Sequence, residues 1–295
     1  MSSDFWIILI GTLVACSCSL VGCFLLLRKM AMMGDAISHA ILPGIVIATL
    51  MSGSRNSLAI IIAASLFGLI TVFLIQMFQQ SGVQSDAAIG IVFTGLFAIG
   101  VILVSLFARQ TGIDLDCVLF GEIAYAPWRR FSIAGIDLGP QALWTVGLVF
   151  LVSLTCITLF YKQFKICTFD PVMAALLGIP VMFFHYLLMA LTSFTAVAAF
   201  DSVGVILVVG MLIIPPSTAY LLTEKLSKML LISMLLGAIS AVGGYYLAVY
   251  LNSSISACMV FISGILFILT LFFSPTHGTF IKWKLISGRK FLRKK

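Results

Sequence analysis

Residues 5–27 read FWIILIGTLVACSCSLVGCFLLL, a run of 23 residues without a single charged side chain. A transmembrane helix needs about 20 consecutive apolar residues, so this run is long enough to cross a bilayer. It follows no basic segment and contains no clear small-residue cleavage site. We therefore interpret it as a retained membrane helix and not as a cleaved signal peptide.

The composition of the whole chain agrees with a membrane protein. Its 295 residues are 62% hydrophobic and only 9% charged, whereas about 25% of the residues of a soluble domain are charged. The sequence can be divided into nine candidate spans: 5–27, 36–52, 57–79, 86–108, 141–161, 181–200, 202–222, 229–251 and 256–274. We expect an all-α polytopic membrane protein with eight or nine transmembrane helices in one membrane domain, residues 1–280, surrounded by lipid.

Basic residues predict the orientation of these spans. Placing Arg28 and Lys29 in the cytoplasm puts the N-terminus outside, the C-terminus inside, and thirteen of the 17 Lys and Arg residues on the inner side. This asymmetry is what the positive-inside rule favours. Seven of these residues lie in the tail, 281–295, which we interpret as a basic cytoplasmic anchor and not as a nucleic-acid-binding segment.

The stretch MAMMGDAISHAILPG, residues 30–44, places Asp35 and His39 four residues apart inside an apolar region. On a helix, positions i and i+4 lie on the same face, so both side chains could approach one ion. A carboxylate and a neutral imidazole are common ligands of divalent first-row metals. Two ligands do not complete a site, and a second copy of the chain across a two-fold axis would supply two more.

The same two residues have an ordinary structural interpretation. Asp35 could cap the start of a helix, and His39 could bond to a carbonyl in a packed bundle. Pro43 and Gly44 favour the metal interpretation modestly, because a broken membrane helix is tolerated where its backbone lines a cavity. The other histidines, His185 and His277, fit positions at the membrane interface, and the seven cysteines form no C-x-x-C pair and fit small hydrophobic residues.

A second unusual stretch is TFDPVMAALLGIP, residues 168–180. Asp170 is a suitable N-cap, Pro171 suits the first helical position, and Gly178 suits the C′ position. The residues between them are apolar, and the charge pattern places them in the cytosol. A helix this apolar needs a covering surface, either the lipid interface or a partner protein, and the residues alone favour neither.

Some function classes are disfavoured by what the chain lacks. It contains no G-x-x-x-x-G-K-[ST] loop and no H-E-x-x-H motif, so it is not expected to hydrolyse ATP by the P-loop route or to act as a zincin. A proton- or sodium-coupled secondary transporter stays possible, although we find no repeat of GDAISHA in a second half. A membrane-embedded enzyme is disfavoured, because three scattered histidines form no catalytic constellation.

Two features further along the chain are explained by helix geometry. We expect Asp201 and Ser202 to lie at the outer start of a helix, and Pro215 with its neighbouring proline to kink the inner half of that helix. The small residues Gly237 and Ala241 indicate close packing between membrane helices.

Three stretches, GDAISHAILPG, FDPVMAALLGIP and SVGVILVVGMLIIPPSTA, occur in this order and resemble the permease subunits of the ABC-3 family, bacterial ABC importers for manganese, zinc or iron. The resemblance extends over nearly the whole chain. Residues 114–128, DLDCVLFGEIAYAPW, resemble the manganese-type members and lie in an outer loop, 109–140, that is polar enough to face water or a soluble partner.

The resemblance implies a transport subunit without enzymatic activity in the bacterial cytoplasmic membrane. Its implied partners are a cytoplasmic ATPase dimer, an extracytoplasmic metal-binding lipoprotein and a second permease, identical or paralogous. No permanently bound cofactor is implied, because the divalent metal is the cargo. Asp35 and His39 resemble the pair proposed to contact the metal in the pathway. Residues 170–178 resemble the coupling helix that docks into the ATPase, with these candidate contacts: Asp170, Pro171, Ala174, Ala175, Leu177 and Gly178.

Overall fold

The computed structural model describes residues 3–52, 57–111, 123–124, 130–133 and 136–274. Within these ranges the chain forms twelve α-helices and one antiparallel two-stranded hairpin. In chain order they are α1 (Ser3–Leu27), α2 (Ala31–Ala40), α3 (Leu42–Ser52), α4 (Ser57–Gln80), α5 (Ser85–Thr111), β1 (Arg130–Ile133), β2 (Ile136–Pro140), α6 (Gln141–Leu159), α7 (Tyr161–Phe169), α8 (Pro171–Leu176), α9 (Val181–Val203), α10 (Val205–Leu222), α11 (Leu226–Leu251) and α12 (Ile255–Phe273).

Nine helical segments of the described chain are long and apolar enough to cross a membrane, which confirms the predicted architecture. Eight of them are single helices, and the second span, Ala31–Leu50, is built from α2 and α3 together. This span begins earlier than the predicted segment 36–52. The basic tail, His277 and most of the outer loop lie outside the described residues, so the expectations for them stay predictions.

α1 is the central helix of the bundle. It packs against α6, α9, α10 and α11, and its side chains at Ile10, Val14 and Phe24 are fully buried. At Gly22 the backbones of α1 and α10 come so close that an added Cβ would overlap the carbonyl oxygen of Leu212. Small residues therefore set the distance between helices here, as is usual in membrane bundles.

The predicted close packing of small residues in α11 is confirmed. Gly237 faces Ala15 and Ser19 of α1, and Ala241 is fully buried one turn later. Since lipid tails are as apolar as the helix surface, such van der Waals contact is a main source of helix association in a bilayer.

The prediction that Asp201 and Ser202 begin a helix is wrong. Both lie in the last turn of α9, and Ser202 Oγ donates to the Ala198 carbonyl at 3.2 Å. The boundary falls instead at Gly204, whose φ of +82° ends α9 and leads directly into α10. Glycine adopts this conformation without the steric cost that a Cβ would add. The paired prolines, Pro215 and Pro216, lie inside α10 as expected.

Gly22→Ala is expected to lower the stability of the folded protein by about 1–3 kcal/mol, because the methyl group would force α1 and α10 apart. The measurement is thermal unfolding of the purified protein in detergent. Gly147→Ala in α6 is the matched control, since an added Cβ there meets nothing within 4 Å and alanine favours the helix. Equal unfolding midpoints for Gly22→Ala and the wild type would contradict the close approach of the two backbones.

Candidate functional site

Asp35 and His39 lie one turn apart on the same face of α2. Asp35 Oδ1 is 3.6 Å from His39 Nε2, which is too long for a hydrogen bond. Two ligand atoms that each lie about 2.1 Å from one metal ion are about 3.0–3.4 Å apart. A small rotation of either side chain would therefore let both bind the same ion. The side chains are 24% exposed for His39 and 41% exposed for Asp35, so their own chain does not enclose the pair.

The structure does not support the two ordinary interpretations of the pair. α2 begins at Ala31, and its N-cap, Met30, makes no side-chain capping bond. Asp35 is the fifth residue of the helix and not its cap. In the part of the chain that the structure describes, the His39 ring contacts Asp35 and two phenylalanine rings, and no bond to a carbonyl is seen.

The helix is interrupted by one residue directly after the pair, although the backbone stays helical there: Ile41 keeps right-handed helical angles and donates to the Ile37 carbonyl at 3.2 Å. Ile41 separates α2 from α3, and Pro43 has no N–H with which to donate to the His39 carbonyl, as residue i+4 does in a continuous helix. Gly44 allows the backbone of α4 to approach at this point, because an added Cβ would lie 3.0 Å from the Ala63 carbonyl oxygen. A proline-interrupted membrane helix is tolerated where protein surrounds it or where it lines a cavity, so the interruption is compatible with a pathway beside His39.

Two aromatic rings of α5 fix the orientation of the imidazole. The centroid of the His39 ring is 5.3 Å from that of Phe93 and 5.7 Å from that of Phe97, with an edge contact to Phe97. The two phenylalanines also contact each other at 6.1 Å. They cover one side of the imidazole with apolar surface and reduce its choice of rotamers. They were not among the predicted site residues, although FTGLF places two aromatic residues at i and i+4 on a predicted span.

The described residues of one chain do not form a complete metal site. No group of three or more His, Cys, Asp and Glu side chains occurs among them. His185 lies in α9 with its ring beside Tyr186 at 5.7 Å and does not join the pair. Transition metals take about four to six ligands, so Asp35 and His39 supply only part of a coordination sphere.

The predicted cytoplasmic helix is α8, and both of its predicted ends are confirmed. Asp170 Oδ1 accepts a hydrogen bond from the Met173 N–H at 2.8 Å, and a proline occupies the first turn. At the other end Gly178 adopts a φ of +75°. The Ile179 N–H donates to the Ala174 carbonyl at 3.0 Å, as in a Schellman motif. The six-residue helix is thus defined by side-chain and backbone bonds at both ends.

Most apolar side chains of α8 face away from the chain. The exposed fraction is 70% for Val172, 79% for Leu176 and 58% for Leu177. Ala174 is fully buried against its own chain and so anchors the helix without presenting a surface to a partner. The other predicted contact residues are exposed: Asp170, Pro171, Ala175, Leu177 and Gly178. Val172 and Leu176 belong to the same surface, although they were not among the predicted contacts.

The residues before α8 form another helix, α7, which was not predicted from the sequence. It is amphipathic: Phe164 and Cys167 are buried, whereas Lys162 and Lys165 are exposed. Burial raises the pKa of the Cys167 thiol, and the nearby charge of Arg28 opposes this effect. The thiol is therefore expected to be protonated and unreactive at neutral pH.

Known proteins resemble this chain over nearly its whole length. The profile of the ABC 3 transport family matches residues 4–274. The manganese transport system membrane protein MntD of Bacillus subtilis (strain 168) is 50% identical over 282 residues, 96% of each chain. The zinc transport system membrane protein TroD of Treponema pallidum (strain Nichols) is 42% identical over 92% of this chain and 74% of that protein.

The fold is also similar to a solved structure. PsaBC from Streptococcus pneumoniae in complex with Fab matches with a TM-score of 0.80 and 32% identity, over 96% of each chain. The family profile spans both α2, which carries the Asp35 and His39 pair, and the capped helix α8. The chain therefore belongs to the ABC 3 transport family.

Proposed function

We propose that this multi-pass membrane protein is the permease subunit of an ATP-driven importer and that it passes divalent transition metal ions. Manganese is the favoured cargo, with zinc and iron as alternatives. The observation that carries the proposal is the partly exposed pair of Asp35 and His39, one turn before the proline that interrupts their membrane helix. Family membership favours ATP-driven import over the proton- or sodium-coupled secondary transporter that the residues alone left possible.

The pair contacts the ion as it crosses. Two ligands from one chain give modest affinity, and an ion must be bound weakly enough to leave again. A second permease, identical or paralogous, would bring a further set of ligands to the same ion across a two-fold axis. No permanently bound cofactor takes part.

The exposed surface of α8 is the docking site for the ATPase. Val172 and Leu176 present apolar side chains at the end of the bundle that the basic residues assign to the cytoplasm. The chain lacks a P-loop, so a separate cytoplasmic ATPase dimer supplies the energy. An extracytoplasmic metal-binding lipoprotein delivers the ion on the opposite side of the bacterial cytoplasmic membrane.

His39→Ala is expected to lower uptake of radioactive Mn²⁺ by about 10- to 100-fold, the range seen when groups that support a metal site are removed. Uptake is measured in cells that express the complete transporter at matched levels, and the same assay with Zn²⁺ ranks the two metals. His185→Ala is the control, because this second histidine lies outside the pair. Wild-type uptake by His39→Ala, with the complex assembled, would remove the pair from the ion pathway.

Phe93→Ala is expected to lower Mn²⁺ uptake by up to about tenfold, because the imidazole of His39 loses a ring that restricts its orientation. Phe73→Ala is the matched control, since Phe73 is 56% exposed on the outer surface of α4. Equal uptake by the two variants would mean that the aromatic contact has no role in positioning His39.

Leu176→Asp is expected to weaken binding of the ATPase subunit by more than about tenfold, because it places a charge in the middle of an apolar contact. Co-purification of the two subunits from membranes measures this. Ser227→Asp adds the same charge at another exposed position on the predicted cytoplasmic side and should leave co-purification unchanged. Undiminished recovery of the ATPase with Leu176→Asp would place the docking surface elsewhere.

A further inference from the structure

Arg28 connects the two functional regions of the chain. It lies in the short turn between α1 and α2, and its Nε donates to Thr168 Oγ1 at 3.3 Å. Thr168 lies in the last turn of α7, two residues before the Asp170 cap of α8. One side chain thus joins the turn that leads into the Asp35 and His39 helix to the segment that leads into α8.

The surroundings of Arg28 are unfavourable for its charge. Its Nη2 atom is buried and has no hydrogen-bond partner in the described part of the chain. Burial lowers the pKa of the guanidinium, because its charged form loses hydration here. Leaving a buried cationic donor without an acceptor is costly. The bond from Nε to Thr168 therefore compensates for only part of the cost of burying this side chain.

The turn that follows Arg28 is rigid. The Met30 N–H donates to the Leu25 carbonyl at 2.9 Å and the Lys29 N–H to the Leu26 carbonyl at 3.0 Å, which is the bonding pattern of a Schellman motif. Lys29 adopts the left-handed φ of +59° that this motif requires. A turn held in this way passes a displacement on to α2. Asp35 then lies only about 6 Å along the helix axis from the first residue of α2.

An aromatic contact keeps α7 against α1. The rings of Phe24 and Phe164 are 5.6 Å apart and both are fully buried, and Phe164 also contacts Phe184 of α9 at 5.4 Å. The ring contacts hold the three helices together, but they do not determine the direction in which one helix follows another, because they include no directional bond. The hydrogen bond from Arg28 to Thr168 determines the direction in which α7 and the turn move together.

We propose that Arg28 is the positioning residue that transmits movement of α8 to the Asp35 and His39 pair, through Thr168 on one side and the rigid turn of residues 28–30 on the other. The inference rests on the proposed function, in which α8 docks on the ATPase and the pair contacts the ion. Without Arg28 the ATPase still docks and hydrolyses ATP, but the pair is not repositioned and metal transport falls behind ATP hydrolysis.

The test uses the complete transporter in proteoliposomes, with its ATPase and binding protein. Mn²⁺ uptake and ATP hydrolysis are measured on the same preparations. Arg28→Gln and Thr168→Val are each expected to lower the number of Mn²⁺ ions transported per ATP by about tenfold, the size of effect known for residues that couple two sites. Thr168→Ser retains the hydroxyl and should keep the wild-type number of Mn²⁺ ions per ATP. Lys162→Gln removes an exposed charge from the same helix and should also leave this number unchanged.

The ratio of metal to ATP separates coupling from folding. An unchanged ratio in Arg28→Gln overturns the inference, and so does a parallel fall in uptake and hydrolysis, which is the result of a purely structural role. If Arg28→Gln does not assemble, Thr168→Val decides by the same criteria, since valine matches the size of threonine. Failure of the proposed function looks different: the wild type then takes up no Mn²⁺, or His39→Ala transports as well as the wild type.

Discussion

A peptide carbonyl inside a hydrocarbon layer has no water with which to form a hydrogen bond, and this constraint determines how the membrane-spanning segments fold. The spans meet it as helices, and several of their hydroxyl side chains bond back to the same helix, as Ser19 does to the Ala15 carbonyl at 2.6 Å. In the second span Pro43 has no N–H to donate to the His39 carbonyl, whereas Ile41 still donates to the Ile37 carbonyl at 3.2 Å and accepts from the Ile45 N–H at 3.1 Å. Neighbouring helices pack around this position, so the departure is limited to one missing bond beside the candidate pair.

The ionisable pair also makes few polar contacts. Asp35 and His39 are held near each other at 3.6 Å without a hydrogen bond between them, and Phe93 and Phe97 cover one side of the imidazole. Apolar walls strengthen an electrostatic attraction to a passing cation. In the function proposed above, the small number of ligands would let the ion leave again. The pair would then combine attraction of the ion with its release.

The sequence was sufficient to predict much of this arrangement. Run lengths gave the nine spans, the four-residue spacing gave the pair, and Asp170 with Gly178 gave both ends of α8. The predicted start of the second span was late, because Gly34 looks like a helix boundary. In the fold Gly34 lies inside α2, where its small size accommodates the Leu212 side chain.

The remaining features depend on contacts between distant parts of the chain. Arg28 and Thr168 are 140 residues apart in sequence, and His39 meets Phe93 and Phe97 only because α2 packs beside α5. No periodicity within one helix contains that information. The misplaced boundary at Asp201 has a local cause, since the capping residue type suggested a start whereas the backbone freedom of Gly204 determined where α9 ends.

The exposed surface of α8 also has a consequence for how cells produce this protein. If α8 is the ATPase docking site proposed above, a permease made without that partner leaves Val172 and Leu176 exposed, and exposed apolar patches of this kind promote aggregation and attract quality-control proteins. Unassembled copies are thereby distinguishable from assembled ones by a single short helix. Cells would then have to balance synthesis of the two subunits or degrade the surplus rapidly. The reason would be the exposed surface of one helix of six residues, α8.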